Sequence, residues 1–246
     1  MGPVQLALWF AMGRARIKGW RESGWLGRML WALFVIFFAG PVALLLVFRF
    51  LPLPGTPQML LSLVEGKGAH YRWSNDINPA LGRMVIGSED QNFCSHYGFD
   101  FVEINRAVAE HQRNPRRRLR GASTISQQTA RSLFLAYQGG WVRKGVETWI
   151  TVLEEALWSK RRILDAYLNV VDWGHGNFGA EAAAQAYFHT SAARLSRTQA
   201  ARLAAILPDP HKWSASDPGP YVSGRTGTLL GQAAVVARDG LDSCVK

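Results

Sequence analysis

The chain has 246 residues, with 28 Lys plus Arg against 18 Asp plus Glu and a formal net charge of +10. That length holds one ordinary domain plus a short extra element and excludes two large catalytic domains. Hydrophobic residues at 48% and charged residues at 19% exclude a disordered polyelectrolyte, and two cysteines, Cys94 and Cys244, exclude a disulfide framework or a four-ligand zinc site. The positive charge needs an anionic counterpart: nucleic acid, a membrane surface or a phosphorylated substrate.

Met29 to Phe48 is twenty residues without a charge. At about 1.5 Å rise per residue, that run crosses a hydrocarbon core. Arg14, Arg16, Lys18, Arg21 and Arg28 precede it against the single acid Glu22, and only Arg49 follows directly. The positive-inside rule therefore puts residues 1–28 in the cytoplasm and the rest outside. Leu51-Pro52-Leu53-Pro54-Gly55 reads as a stiff exit linker, with no small-residue cleavage pattern, so the span is expected to be an uncleaved anchor. Val4 to Met12 is too short to span. The bases then divide into five against one acid before residue 49 and 23 against 17 acids beyond it. A nucleic-acid partner is excluded on that topology. An anionic lipid surface or a lipid-linked phosphate is the natural counter-charge.

From about Asn75 the helical period dominates and strand alternation is absent. Asp100 and Glu103 form a capping-box type start, with Phe101, Ile104 and Val108 on one apolar stripe. Thr124 and Gln127 open a helix expected to run to about Tyr137. Val146, Trp149, Ile150, Leu153 and Leu157 keep helical spacing. Ser159 caps the next helix, carrying Ile163, Tyr167 and Val170. Ser196 and Gln199 open another, stopped by Pro208-Asp209-Pro210. Thr228 to Ala237 has the pattern of a last helix. The expected boundaries are 1–28 cytoplasmic, 29–48 anchor, 49–71 linker and membrane-proximal segment, 72–221 catalytic core, and 222–246 tail or last helix.

Three clusters carry chemistry. In Ser88-Glu89-Asp90-Gln91-Asn92-Phe93-Cys94-Ser95-His96-Tyr97-Gly98, one acid has the setting of a general base, and a locally hydrogen-bonded loop is the alternative. In Gly121-Ala122-Ser123-Thr124-Ile125-Ser126-Gln127-Gln128, a glycine and hydroxyls at a helix start offer free N–H groups to an anion. Thr124, Gln128 and Arg131 then share one helix face, although plain N-capping also explains Thr124. In Arg143-Lys144-Gly145-Val146-Glu147, two cations suit a pyrophosphate, against the alternative of a surface ion pair. Arg113, Arg116, Arg117, Arg118 and Arg120 read as a loop facing lipid headgroups or solvent. His175 and His189 show no metal-ligand spacing, and structural roles are expected for them. One cysteine pair at unknown separation leaves a disulfide open.

Taken in order, the anchor, SEDQNFCSHYGFD, GASTISQQ, RKGVE and ILDAYLNVVDWGHGNFGAEAAAQAYF resemble the peptidoglycan glycosyltransferase family, glycosyltransferase family 51, in its monofunctional biosynthetic branch. The similarity runs from about Arg72 to Tyr221. It implies a mostly α, lysozyme-like glycosyltransferase domain with a membrane-associated jaw subdomain and one N-terminal transmembrane helix. It implies polymerisation of lipid II into β-1,4 glycan strands with release of undecaprenyl pyrophosphate. By motif, Glu89 matches the general base and Glu147 the second carboxylate, which helps position the pyrophosphate or its metal ion. Asp90, Phe93, His96, Thr124, Gln128, Arg143 and Lys144 fall on cleft positions, and Ser123 and Arg131 complete the substrate-binding set. The resemblance also implies a divalent cation, magnesium or manganese, without an organic cofactor. Its partners would be lipid II, the growing chain, the membrane, and cell-wall synthesis or division proteins. The location implied is the bacterial inner membrane with a periplasmic catalytic domain. Arg131-Ser132 stands where the family usually has Lys-Asn, and Cys94 where bulkier or polar residues are common. A lysozyme-like hydrolase and an anchored scaffold are the alternative readings: the first would release soluble muropeptides, the second would tolerate loss of Glu89.

Overall fold

The computed structural model describes residues 24–115, 121–135 and 140–246. Arg14, Arg16, Lys18 and Arg21, the Val4 to Met12 patch and most of the arginine run after Pro115 lie outside them. The chain divides into two compact units, Met1–Val47 and Phe48–Lys246.

The described residues of the first unit form an apolar helix. α1 (Trp25–Phe34) passes through a π-helical turn (Val35–Ala39) into α2 (Gly40–Phe48). Together they span Trp25–Phe48, 24 residues with hydropathy 2.6. The π turn sits where Pro41 would otherwise crowd the carbonyl four residues back. There the Gly40 N–H reaches back five residues to the Val35 carbonyl. A Cβ at Gly40 would lie 2.8 Å from that oxygen, so glycine permits the widened turn.

The second unit is mostly α. Its helices are α3 (Pro57–Val64), α4 (Pro79–Glu89), α5 (Phe101–Arg113), α6 (Ile125–Phe134), α7 (Trp141–Leu157), α8 (Lys160–Val170), α9 (Ala180–Phe188), α10 (Arg197–Ile206) and α11 (Pro220–Arg238). The two-residue strands β1 (His70–Tyr71) and β2 (Asn177–Phe178) pair in parallel, Tyr71 opposite Phe178. The helix starts follow local chemistry. Asn78, Asp100, Thr124, Ser159 and Ser196 each accept a backbone N–H of the first turn, and Thr124 and Ser196 complete full capping boxes. Pro208 follows the end of α10.

α4 is the central element. Leu81, Met84, Val85 and Ile86 are buried, and the helix packs against α10 and α11. Its glycines set the spacing: a Cβ at Gly87 would meet the Gln232 Cβ of α11 at 3.3 Å, and one at Gly82 would meet Leu164 of α8 at 3.3 Å. α11 buries Val222, Leu229, Ala233 and Val236, so the C-terminal segment forms part of this core. α6 packs on α7 and α8, and α8 is buried from Ile163 to Val170 except at Asp165.

Two features that the sequence left open are settled by the structure. The stripe on α5 is largely exposed: Phe101 is 69% exposed, Val102 and Val108 are exposed, Ile104 is half-buried, and Ala107 is the buried residue. Helical period groups these residues on one stripe but does not say whether that stripe is covered. The start of α7 is similar, with Trp141 93% exposed and Val142 beside it. The two cysteines are joined: Cys94 and Cys244 form a disulfide with Cα atoms 5.5 Å apart across a separation of 150 residues. It ties the loop after α4 to the segment after α11, where Arg83 on α4 also pairs with Asp242 at 2.8 Å.

A loop this long makes the bond a large constraint on the unfolded chain. Replacing both cysteines by serine should cost on the order of 3–5 kcal/mol, and thermal unfolding without reductant should shift down by about 10 °C. An unchanged midpoint would show that the bond contributes no net stability.

Candidate active site

Glu89 is the last residue of α4 and Asp90 its C-cap. Both open onto a cleft of about 250 Å³ whose walls come from the ends of α4 and α5, the Gly121–Thr124 segment, and α11. Glu89 is part-exposed as a residue, yet its carboxylate is surrounded by protein. Burial raises its acid above the ordinary carboxylate range. The Gln128 hydrogen bond, the Arg225 charge and the Ser88 hydroxyl oppose the rise, and the Asp90 charge adds to it. Gln128 Nε2 donates to Glu89 Oε2 at 3.1 Å, while the Tyr167 hydroxyl donates to Gln128 Oε1 at 3.2 Å. Tyr167 is fully buried on α8, so it fixes which end of the Gln128 amide faces the acid.

Asp90 is a brace. Its Oδ2 accepts the Ile125 N–H at the start of α6 at 3.0 Å, and its Oδ1 lies 2.9 Å from His96 Nε2. The buried Phe93 ring packs edge-on to His96 and lies under the Lys160 ammonium, 4.5 Å from the ring centre. Lys160 in turn holds Glu155, which accepts the Ser126 hydroxyl. Thr124 is also structural in its bonding: its hydroxyl donates to the Gly98 carbonyl at 2.7 Å and accepts the Gln127 N–H. Gly98 has φ +81°, and a Cβ there would lie 2.8 Å from Thr151 Cγ2 on α7. Only glycine lets the loop approach that helix.

Glu147 is buried on α7 between two cations. Arg143 reaches one carboxylate oxygen at 2.9 Å and Lys144 the other. One helical turn on, Thr151 and Glu155 meet the Gly98 loop, which places the Glu147 helix against the segment carrying His96. Nearby Glu154 is fully buried with no partner for either oxygen among the described residues, and burial, then the Glu155 charge, pushes its carboxyl well above the ordinary range.

The sequence-derived residues therefore fall into groups. Glu89, Asp90, Ser123 and Thr124 line the cleft. Gln128 joins it through its bond to Glu89. Phe93 and His96 support the loop from behind, and Arg143, Lys144 and Glu147 form a separate ionic cluster on α7. Arg131 is half-buried on α6. His175 and His189 have structural settings: both adopt positive φ, and His189 caps α9. Sequence reading missed Arg225 and Tyr167. Arg225 lies in the segment expected as a tail or last helix, without a role in the site, and Tyr167 looked like an ordinary core aromatic.

Among the described residues, the atoms that could hold a divalent ion are already engaged by other partners. Asp90, His96 and Asp100 bring ligand atoms within 4.8 Å of one another. Their oxygens are already taken by His96, by the Ile125 and Glu103 N–H groups and by the Asn92 amide. Burial alone would raise the Asp100 carboxyl, but the Glu103 N–H, the Asn92 amide, the His96 charge and the Val102 N–H hold it below its ordinary value. Glu147 already carries two cations.

A mostly helical domain with a carboxylate at a helix end beside a polar cleft, and a cationic cluster on another helix, has the base and cations that a group-transferring enzyme needs. The sequence profile of the Transglycosylase family matches residues 59–234, and the chain belongs to that family. A biosynthetic peptidoglycan transglycosylase of Caulobacter vibrioides is 48% identical over 222 residues, 89% of this chain and 96% of that protein. Proteins of the same name from Pseudomonas putida (48%, 80% of this chain and 86% of theirs) and Rhodospirillum centenum (45%, 83% and 89%) are also similar.

The raised Glu89 acid has a consequence for stability. The unfolded chain releases this proton near pH 4, at roughly the model-peptide value, while the folded protein retains it to higher pH. Folded stability therefore falls as pH rises through that window and stays lowered above it. Glu89→Gln should unfold at a higher temperature than wild type at pH 7–8, and the gap should close below about pH 4. A variant less stable than wild type at neutral pH would contradict this.

Proposed function

We propose that this protein is a peptidoglycan glycosyltransferase that polymerises lipid II into β-1,4-linked glycan strands with release of undecaprenyl pyrophosphate. The observation that carries the reading is the buried Glu89 carboxylate, oriented by Gln128 and opening on a polar cleft, in a chain of the Transglycosylase family. Glu89 takes the proton of the acceptor GlcNAc 4-hydroxyl. The oxygen then bonds to the anomeric carbon of the lipid-linked MurNAc from the face opposite the pyrophosphate. The bond from that carbon to the pyrophosphate oxygen breaks, its electron pair leaves with the lipid pyrophosphate, and the anomeric centre inverts.

Leaving pyrophosphate needs positive charge. Arg143 and Lys144 supply it, and Glu147 holds the two in place. Asp90, Phe93 and His96 act by fixing the loop beside Glu89, Ser123 and Thr124 line the cleft beneath it, and Arg131 adds a cation on α6. Any divalent ion of the reaction is placed on substrate pyrophosphate oxygens, not in a protein cage.

The anchor is assigned to the bacterial inner membrane with the N-terminus cytoplasmic and the second unit periplasmic. The charge asymmetry around the apolar helix supports this, and so does the Cys94–Cys244 bond, which fits an oxidising compartment. The exposed Phe101, Val102, Trp141 and Val142 are assigned to the membrane side, beside the lipid substrate.

The test is polymerisation of lipid II by purified protein. Wild type should yield glycan strands, and Glu89→Gln should lose on the order of 10²–10⁴ in rate. Polymerisation by Glu89→Gln at the wild-type rate would remove Glu89 as base. Soluble muropeptides released from cell wall without lipid II consumption would make the protein a hydrolase. Manganese titrated into substrate-free protein should show no saturable heat. A saturating site would overturn the placement of the ion.

A further inference from the structure

We propose that Arg225 is a positioning residue of the reaction: from α11 it provides the counter-charge of the Glu89 carboxylate across the cleft without occupying the oxygens that must take the acceptor proton. The inference rests on the reading of Glu89 as base.

Arg225, Thr228 and Gln232 lie at i, i+3 and i+7, so they share one face of α11, and all three line the cleft with Glu89. The close approach of Gly87 to Gln232 sets the register of this face against α4. Arg225 makes no ion pair or hydrogen bond among the described residues, and its Nε is buried without a partner. Arg106, the other described arginine lining the cleft, is tied to Glu103. Arg225 is thus the uncommitted cation of this cleft among the described residues. Its charge acts on Glu89 and opposes the effect of burial.

The surroundings of Glu89 explain why such a charge is needed. On its own helix, Ser88 stabilises the ionised form and Asp90 opposes it. From α6 comes Gln128, which is neutral. From α5 come Glu103 with its partner Arg106, and the α5 cap Asp100, so the cleft is otherwise acidic. A direct salt bridge would hold Glu89 ionised but would also engage the oxygens that must accept the proton. A guanidinium acting across the cleft holds the charge and leaves them accessible.

The experiment is the pH dependence of kcat and KM for lipid II polymerisation by full-length wild type, Arg225→Gln, Arg225→Lys and Glu89→Gln, each checked by thermal unfolding. Arg225→Met is the second neutral variant if Arg225→Gln does not fold. The acidic limb of kcat in the neutral variant should move to higher pH. The loss at pH 6 should be on the order of tenfold and should shrink as pH rises. Arg225→Lys should keep the limb near its wild-type place. A folded neutral variant with an unmoved limb overturns the proposal, as does a raised KM with an unchanged kcat profile, which would make Arg225 a substrate contact. Wild-type rates from Glu89→Gln would instead overturn the reading of the base. An inactive Glu89→Gln beside an unmoved limb in the neutral Arg225 variant would overturn only the role of Arg225.

Discussion

The carboxylate of Asp90 is the constraint on which the site depends. It sits at the end of α4 and accepts from His96 in the following loop and from the first N–H of α6. A carboxylate at that helix start satisfies a donor that has no partner within the helix and meets the positive end of its dipole. Three chain segments are thereby fixed to one point. Glu89, one residue earlier, inherits its position from them. An amide at residue 90 would keep the shape but lose the charge, while adding donors where the neighbours already donate.

Everything around that point serves to hold it rigid. Phe93 is buried under Lys160, Lys160 holds Glu155, and Glu155 accepts from Ser126 on α6. Gly98 lets the loop touch α7, and Thr124 closes on the Gly98 carbonyl. The disulfide then fastens Cys94 to the chain beyond α11. A base must stay within hydrogen-bond reach of its proton. A loop of this length with a free course could not ensure that. The polar residues behind the cleft are therefore explained as supports, and their burial is the reason they act through their neighbours.

Stability and chemistry pull against each other at Glu89. Burial makes the carboxylate a stronger base and at the same time penalises its ionised form. Gln128 and Arg225 offset part of that penalty. Glu154, fully buried with no partner for its oxygens among the described residues, lacks such an offset, and its carboxyl is pushed well above the ordinary range. The difference between the two acids lies in their neighbours.

The sequence by itself determined the apolar anchor, the helical class, the caps at Asp100, Thr124, Ser159 and Ser196, and the clusters holding Glu89 and Glu147. These signals are local: a run of uncharged residues, a helical period, a side chain reaching its own first turn. The family resemblance added roles to those residues from the order of the motifs. Tertiary structure alone decided which apolar faces are covered, and much of the α5 stripe is left exposed. It also decided that Cys94 meets Cys244, that Tyr167 sets the Gln128 amide, and that Arg225 faces Glu89 from the last helix. Those relations join residues up to 150 positions apart. They depend on how α4 packs between α8, α10 and α11, and no periodicity within one segment encodes that packing.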